Sequence, residues 1–158
     1  MSKWVSKDEA LKKMMRYCAY QERCHQEVRA KLIQLGVIPD WREEVIVELI
    51  QENFLNEERF ARSFTRGKFR IKQWGRLRIK KELKLRNISD YCIRKALGEE
   101  IEPEDYKNTI KALIEKKHTL LSEENDYKKK NKIAQHLIRK GFESNLVWEH
   151  LNQRFKAS

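Results

Sequence analysis

The chain has 158 residues and carries 35 Lys or Arg against 24 Asp or Glu, a formal net charge of +11 at pH 7. Five Gly, two Pro and 37% charged residues describe an all-helical protein and exclude a sheet-rich fold or a low-complexity tail. No apolar run approaches the roughly 20 residues of a membrane span and no signal-like segment opens the N-terminus, so the expected setting is the cytoplasm.

In chain order, a first helix is predicted from near Asp8, a second through "VRAKLIQLGV" from Val28, and a third in "DWREEVIVELI". Asp40 is the expected N-cap of the third, with Glu43 at the capping-box distance. A fourth helix starts near Asn56. A fifth runs through "IKKELKLRNI" from Ile79, and a sixth, "SDYCIRKAL", is capped by Ser89. The last three start near Glu104, run through "IAQHLIRKGF" from Ile133, and end with "SNLVWEHL" capped by Ser144.

The second, fifth and eighth of these segments superimpose. An apolar residue (Val28, Ile79, Ile133) is followed four later by Leu32, Leu83 or Leu137. Four residues on stands Gly36, Asn87 or Gly141, and then Val37, Ile88 or Phe142. Positions i and i+4 share a helix face, Gly or Asn takes the left-handed conformation that ends a helix, and the next apolar residue packs back on the last turn. The expected fold is therefore all-α: three tandem three-helix repeats forming an elongated, curved body, with units at 1–55, 56–103 and 104–158. The insertion "TLLSEENDYKKKN" in the third reads as a flexible loop or a frayed helix end.

The charge is uneven. "RGKFRIKQWGRLRIKKELKLR", residues 66–86, contains ten Arg or Lys and one acid, Glu82, so it holds +9 of the +11. At 100° per residue, Phe60, Phe64, Gly67, Ile71 and Trp74 fall on one stripe, expected to be core, and Arg62, Arg66, Phe69 and Gln73 fall opposite. Phe69 is then either packed against a neighbouring repeat or a contact residue within a basic patch. Beyond Gly75, Arg76, Lys80 and Lys84 form a second basic row beside Ile79 and Leu83. The candidate partner- or nucleic-acid-binding residues are Arg62, Arg66, Lys68, Phe69, Arg70, Lys72, Arg76, Arg78, Lys80 and Lys84.

No catalytic chemistry is predicted. Cys18, Cys24 and Cys92 are odd in number and lack C-x-x-C spacing, so they read as reduced thiols rather than disulfides or a zinc site. Gly67-Lys68 lacks the upstream glycine of a phosphate loop, since Arg62 stands there. No nucleophile, base and orienter can be grouped, so neither an enzyme nor a cofactor is expected.

At this point "NEERFARSF" followed by "WGRLRIKKEL" resembles the central-repeat signature of the RecX regulatory family, R-F-A-x-x-F and then G-x-x-x-I-x-x-E-L. "AYQERCHQEVRAKL" is similar to the first-repeat signature, and the resemblance extends over nearly the whole chain. The family pattern falls on Glu58, Arg59, Phe60, Ala61 and Phe64, then on Gly75, Ile79, Glu82 and Leu83, and earlier on Arg23, Glu27 and Leu32. Most of these read as fold-keeping residues. Cys24 stands where the family usually has Ser or Thr, giving a capping box with a weaker cap. The resemblance implies a non-enzymatic, monomeric modulator of homologous recombination, DNA repair and the SOS response. Such a protein binds the RecA filament on single-stranded DNA and inhibits its strand-exchange, ATPase and coprotease activities. Composition alone supports a different reading, a sequence-nonspecific DNA- or RNA-binding helical module.

Overall fold

The computed structural model describes residues 5–156; the first four residues of the expected first unit and the last two of the third lie outside that range. The described residues form nine α-helices and no strand: α1 (Lys7–Tyr20), α2 (His25–Gln34), α3 (Pro39–Gln51), α4 (Glu57–Arg70), α5 (Arg76–Leu85), α6 (Asp90–Glu100), α7 (Pro103–Leu120), α8 (Asp126–Arg139) and α9 (Ser144–Lys156).

The three predicted terminators all adopt the left-handed conformation: Gly36 at φ 78°, Asn87 at φ 60° and Gly141 at φ 100°. Each closes the same pair of backbone hydrogen bonds. The amides of Val37, Ile88 and Phe142 donate to the carbonyls of Leu32, Leu83 and Leu137 at 3.1, 3.1 and 3.2 Å. The amides of Gly36, Asn87 and Gly141 donate to Ile33, Lys84 and Ile138 at 3.0 Å each. This is the Schellman arrangement, and Val37, Ile88 and Phe142 are buried beneath it. Because Asn pays a left-handed cost that Gly avoids, Asn87→Gly is expected to stabilise the fold by about 0.5 kcal/mol and Asn87→Ala to destabilise it by about 1 kcal/mol. Thermal unfolding of the two variants checks the sign.

Several local expectations are corrected. Helix α3 is capped by Ile38 with Pro39 in its first turn, not by Asp40; the preset φ of proline starts the helix, and Glu43 pairs with Arg29 at 3.0 Å instead of closing a capping box. Ser89 does cap α6, accepting from the Cys92 amide at 3.3 Å, whereas α9 already begins at Ser144. The insertion is mostly helical. Helix α7 extends to Leu120, and Asn125 caps α8 by accepting from the Lys128 amide at 3.0 Å, so the non-helical stretch is only 121–125.

Burial falls into two cores. One, between α1, α2 and α3, contains Met14, Val28, Leu32, Val45, Leu49 and Leu55. The other runs without a break from α4 through α9, from Phe60 and Ile79 to Ile110, Leu137 and Leu151. The accessible surface of 10157 Å² exceeds by about a fifth the roughly 8,400 Å² of a compact monomer of this mass.

Candidate interaction surface

Helix α4 is shorter than the predicted stripe. It ends at Arg70, and the chain turns through Gln73 at φ 55°, so Ile71 is 80% exposed rather than core. The buried side of α4 is Phe60, Ala61, Thr65 and Phe69, because α6 and α5 pack along the helix and Tyr106 of α7 meets its last turn. Phe69 is 5% exposed, its ring 5.9 Å from that of Tyr106. Of the two readings of Phe69, inter-repeat packing is therefore correct. It offers no ring for stacking on a partner.

What replaces it is a ladder of rings and cations on the half-buried side of α4 and α5. The Arg86 guanidinium lies 4.8 Å from the Phe64 ring centre; the Lys68 ammonium lies 5.4 Å from Phe64 and 4.9 Å from Trp74; the Arg78 guanidinium lies 4.0 Å from Trp74. Phe64 and Trp74 themselves meet edge to face at 6.4 Å. Each ring offers its negative face to a cation; Arg86 is also paired with Glu82 at 3.1 Å, whereas Lys68 and Arg78 make no ion pair among the described residues. Beside the ladder lies a groove of about 400 Å³, lined by Phe64, Lys68, Ile71, Lys72 and Arg86 on one side and by Glu22 and Glu27 on the other.

The nine charged candidates then separate into three groups. Arg62 and Arg66 are committed to the fold. Arg62 pairs with Glu99 at 3.2 Å and Arg66 with Glu100 at 2.6 Å, the Glu100 side chain being 7% exposed. Arg76 is also occupied, its guanidinium stacked 3.9 Å from the Tyr106 ring and paired with Glu143 at 2.9 Å. Lys68 and Arg78 belong to the ladder. Arg70, Lys72, Lys80 and Lys84 are exposed and make no ion pair among the described residues. Phe64, Trp74 and Arg86 were missed as site residues; the Phe64 and Lys68 spacing of four was the legible signal, but Trp74 enters only through the turn after Arg70.

The joint behind this surface is unusually close. Gly75 donates its amide to the Lys140 carbonyl at 2.8 Å, and Leu77 donates to the Gly141 carbonyl at 3.0 Å. A β-carbon on Gly75 would stand 2.3 Å from the backbone of Gly141 and Phe142, and one on Gly141 would stand 2.4 Å from the Arg78 β-carbon. The buried Tyr106 hydroxyl accepts from the Arg76 amide at 3.0 Å and donates to Glu143. Burial and the Glu143 carboxylate together push that phenol far above its ordinary range.

Residues 56–97 match the model of the second three-helix domain of RecX, and residues 104–151 that of its third three-helix domain, together more than half of the chain. The chain belongs to the RecX family. It is 29% identical over 147 residues to the regulatory protein RecX of Prosthecochloris aestuarii, an alignment covering 92% of this chain and 93% of that one. It is 30% identical over 131 residues to RecX of Bacillus cytotoxicus, covering 83% of this chain and 48% of that one, so it spans about half the length of this longer relative. The crystal structure of RecX from Lactobacillus salivarius superimposes with a TM-score of 0.83 at 26% identity, covering 96% and 97% of the two chains. RecX proteins are helical regulatory proteins of recombination, not enzymes.

The RecX signature residues are mostly structural here. Arg59 donates to Glu22 at 2.5 Å and to the carbonyls of Asn53 and Phe54 at 3.0 and 3.3 Å, tying α4 to the first unit. Glu27 accepts from the Cys24 amide at 3.1 Å, so the acidic half of the capping box survives the cysteine. The three cysteines are buried and free; burial raises Cys18 and Cys24 to about 11, which keeps both as inert thiols at neutral pH. No group that could hold a metal occurs among the described residues, nor any helix long and apolar enough to cross a membrane.

Arg66 holds the Glu100 carboxyl below its ordinary range through a direct hydrogen bond. A depressed carboxylate contributes stability that is complete above its unfolded pKa of about 4.3 and is lost as pH falls through the lower folded value. Arg66→Ala is therefore expected to be less stable than the parent at pH 7. The difference should shrink steadily below pH ~4, as urea unfolding at several pH values would show.

Proposed function

We propose that this chain is a cytoplasmic, monomeric restraint on a RecA-type recombinase filament. Its three helical units, drawn at 1–55, 56–103 and 104–158, lie along the filament groove and block entry of a second duplex. The observation that supports this reading most directly is that Arg70, Lys72, Lys80 and Lys84 of the central unit are exposed and unpaired among the described residues, while Lys68 and Arg78 of the same unit are held on the Phe64 and Trp74 rings. A unit so rich in cations attracts both the phosphates of a filament's bound strand and acidic protein surfaces beside them. Membership of the RecX family supports a recombinase as the partner. The length of the body suits contact with more than one protomer.

The test compares affinity for the recombinase filament on single-stranded DNA with affinity for the same DNA bare, at one salt concentration, and follows strand exchange alongside. Tighter binding to the filament, with loss of strand exchange at matching concentrations, is expected. Equal affinity for both would instead make the chain a sequence-nonspecific nucleic-acid-binding module, since a purely electrostatic face does not distinguish a coated strand from a bare one.

A further inference from the structure

The cations of the central unit continue across the joint. Lys140, at the end of α8, donates its ammonium to the Lys72 carbonyl at 3.1 Å. Its partly buried charge is repelled by Arg78 of the second unit and by Lys116 of the third. Immediately beyond it, α7 and α8 enclose a groove of about 350 Å³ lined by Lys117, Lys132, His136 and Arg139, with the neutral amides of Asn131 and Gln135. One acid reaches its edge, Glu123, paired with Lys132 at 3.2 Å. Leu121 is the one apolar residue that lines the groove, and no aromatic ring does.

We propose that the α7–α8 groove is a second subsite for the backbone phosphates of a nucleic-acid strand, joined through Lys140 to the central basic face. The inference rests on the reading of that face as one that meets a polyanion, and extends it to a site with its own residues. Protein partners are anchored by buried aromatic and apolar side chains, which this groove lacks. A nucleic-acid backbone is an evenly charged string, and what it needs is a succession of cations, from Lys72 and Arg78 past Lys140 to Lys116, Lys117 and Arg139. Asn131 and Gln135 add uncharged donors suited to phosphate oxygens.

His136 reports occupancy. Burial, together with the facing charges of Lys116 and Lys117 from α7 and of Arg139 and Lys140 from α8, holds its imidazole below the ordinary range, so it is neutral at pH 7. An anion among those cations offsets their repulsion and raises it.

The experiment titrates a long oligothymidylate into the full chain across a salt series, for the parent, for Lys117→Ala with Arg139→Ala, and for Lys72→Ala with Lys80→Ala. Losing two phosphate contacts should reduce the slope of log affinity against log salt by about 1.4, and lower affinity about 25-fold at 0.1 M salt relative to 1 M. In the parent, the NMR titration midpoint of His136 should move upward when the oligothymidylate is added. If the Lys117 and Arg139 variant keeps the parental slope while the Lys72 and Lys80 variant loses it, the second subsite is overturned and the central face stands. If neither pair changes the slope, both readings fall. Displacement of the oligothymidylate by polyglutamate at equal charge concentration would overturn the assignment to nucleic acid in favour of acidic protein.

Discussion

Replacing Arg70, Lys72, Lys80 and Lys84 together by glutamate is expected to leave helix content intact while abolishing inhibition of strand exchange. The four side chains are exposed and hold no acid of the fold, so each change should alter stability by only about 0.5 kcal/mol. Four lost contacts to a single strand, at about 0.7 in salt slope each, reduce affinity about 600-fold at 0.1 M salt, and the repulsion from four new carboxylates adds to this. Arg66 and Arg76 are left out on purpose. Reversing them would set carboxylates against Glu100 and Glu143, and loss of activity could then be loss of fold. The measurement is strand exchange by the cognate recombinase across a concentration series, with circular dichroism on the same samples. A folded variant that inhibits at the parental concentration would show the basic face to be merely solvated.

The second large effect belongs to the joint. Gly75→Ala is expected to destabilise α4–α9 by about 3 kcal/mol, because its new methyl meets main-chain atoms of Gly141 and Phe142 that have no rotamer by which to withdraw. Gly141→Ala should cost more still, since it adds a left-handed φ of 100° to a collision with Arg78. A control, Gly67→Ala, places its methyl in open space within α4 and should be neutral or mildly stabilising. Urea unfolding of the three variants ranks them; equal midpoints for Gly75→Ala and Gly67→Ala would mean the units part easily there.

The repeat was legible in sequence because it is written in local terms. The spacing from Val28, Ile79 and Ile133 to the residues after Gly36, Asn87 and Gly141 is a helix face and its terminator, and both depend on neighbours within ten residues. The candidate surface was legible as a region and not as a list of residues. A helical wheel extended through Trp74 assumed one unbroken helix, and the turn at Gln73 moved Ile71 into solvent and Trp74 onto the ladder. The wheel also presumed burial within one unit, whereas the last turn of α4 meets the third unit, where Phe69 packs on Tyr106. The cations tied to Glu99, Glu100 and Glu143 could not be separated from the unpaired ones, because their partners lie 34 or more positions away in the chain and no periodicity carries that information.

The division of burial into two cores has a consequence for how the molecule comes apart. The residues around Met14, Val28 and Leu49 share no apolar cluster with those from Phe60 to Leu151; Cys24 alone of the first helices sits in the larger one, and the Arg59 bonds to Glu22, Asn53 and Phe54 cross the boundary. Cooperativity follows shared packing, so heat should release α1–α3 in a transition of its own while the glycine-locked remainder persists. Calorimetry would then record two endotherms, and no single melting temperature would describe the chain.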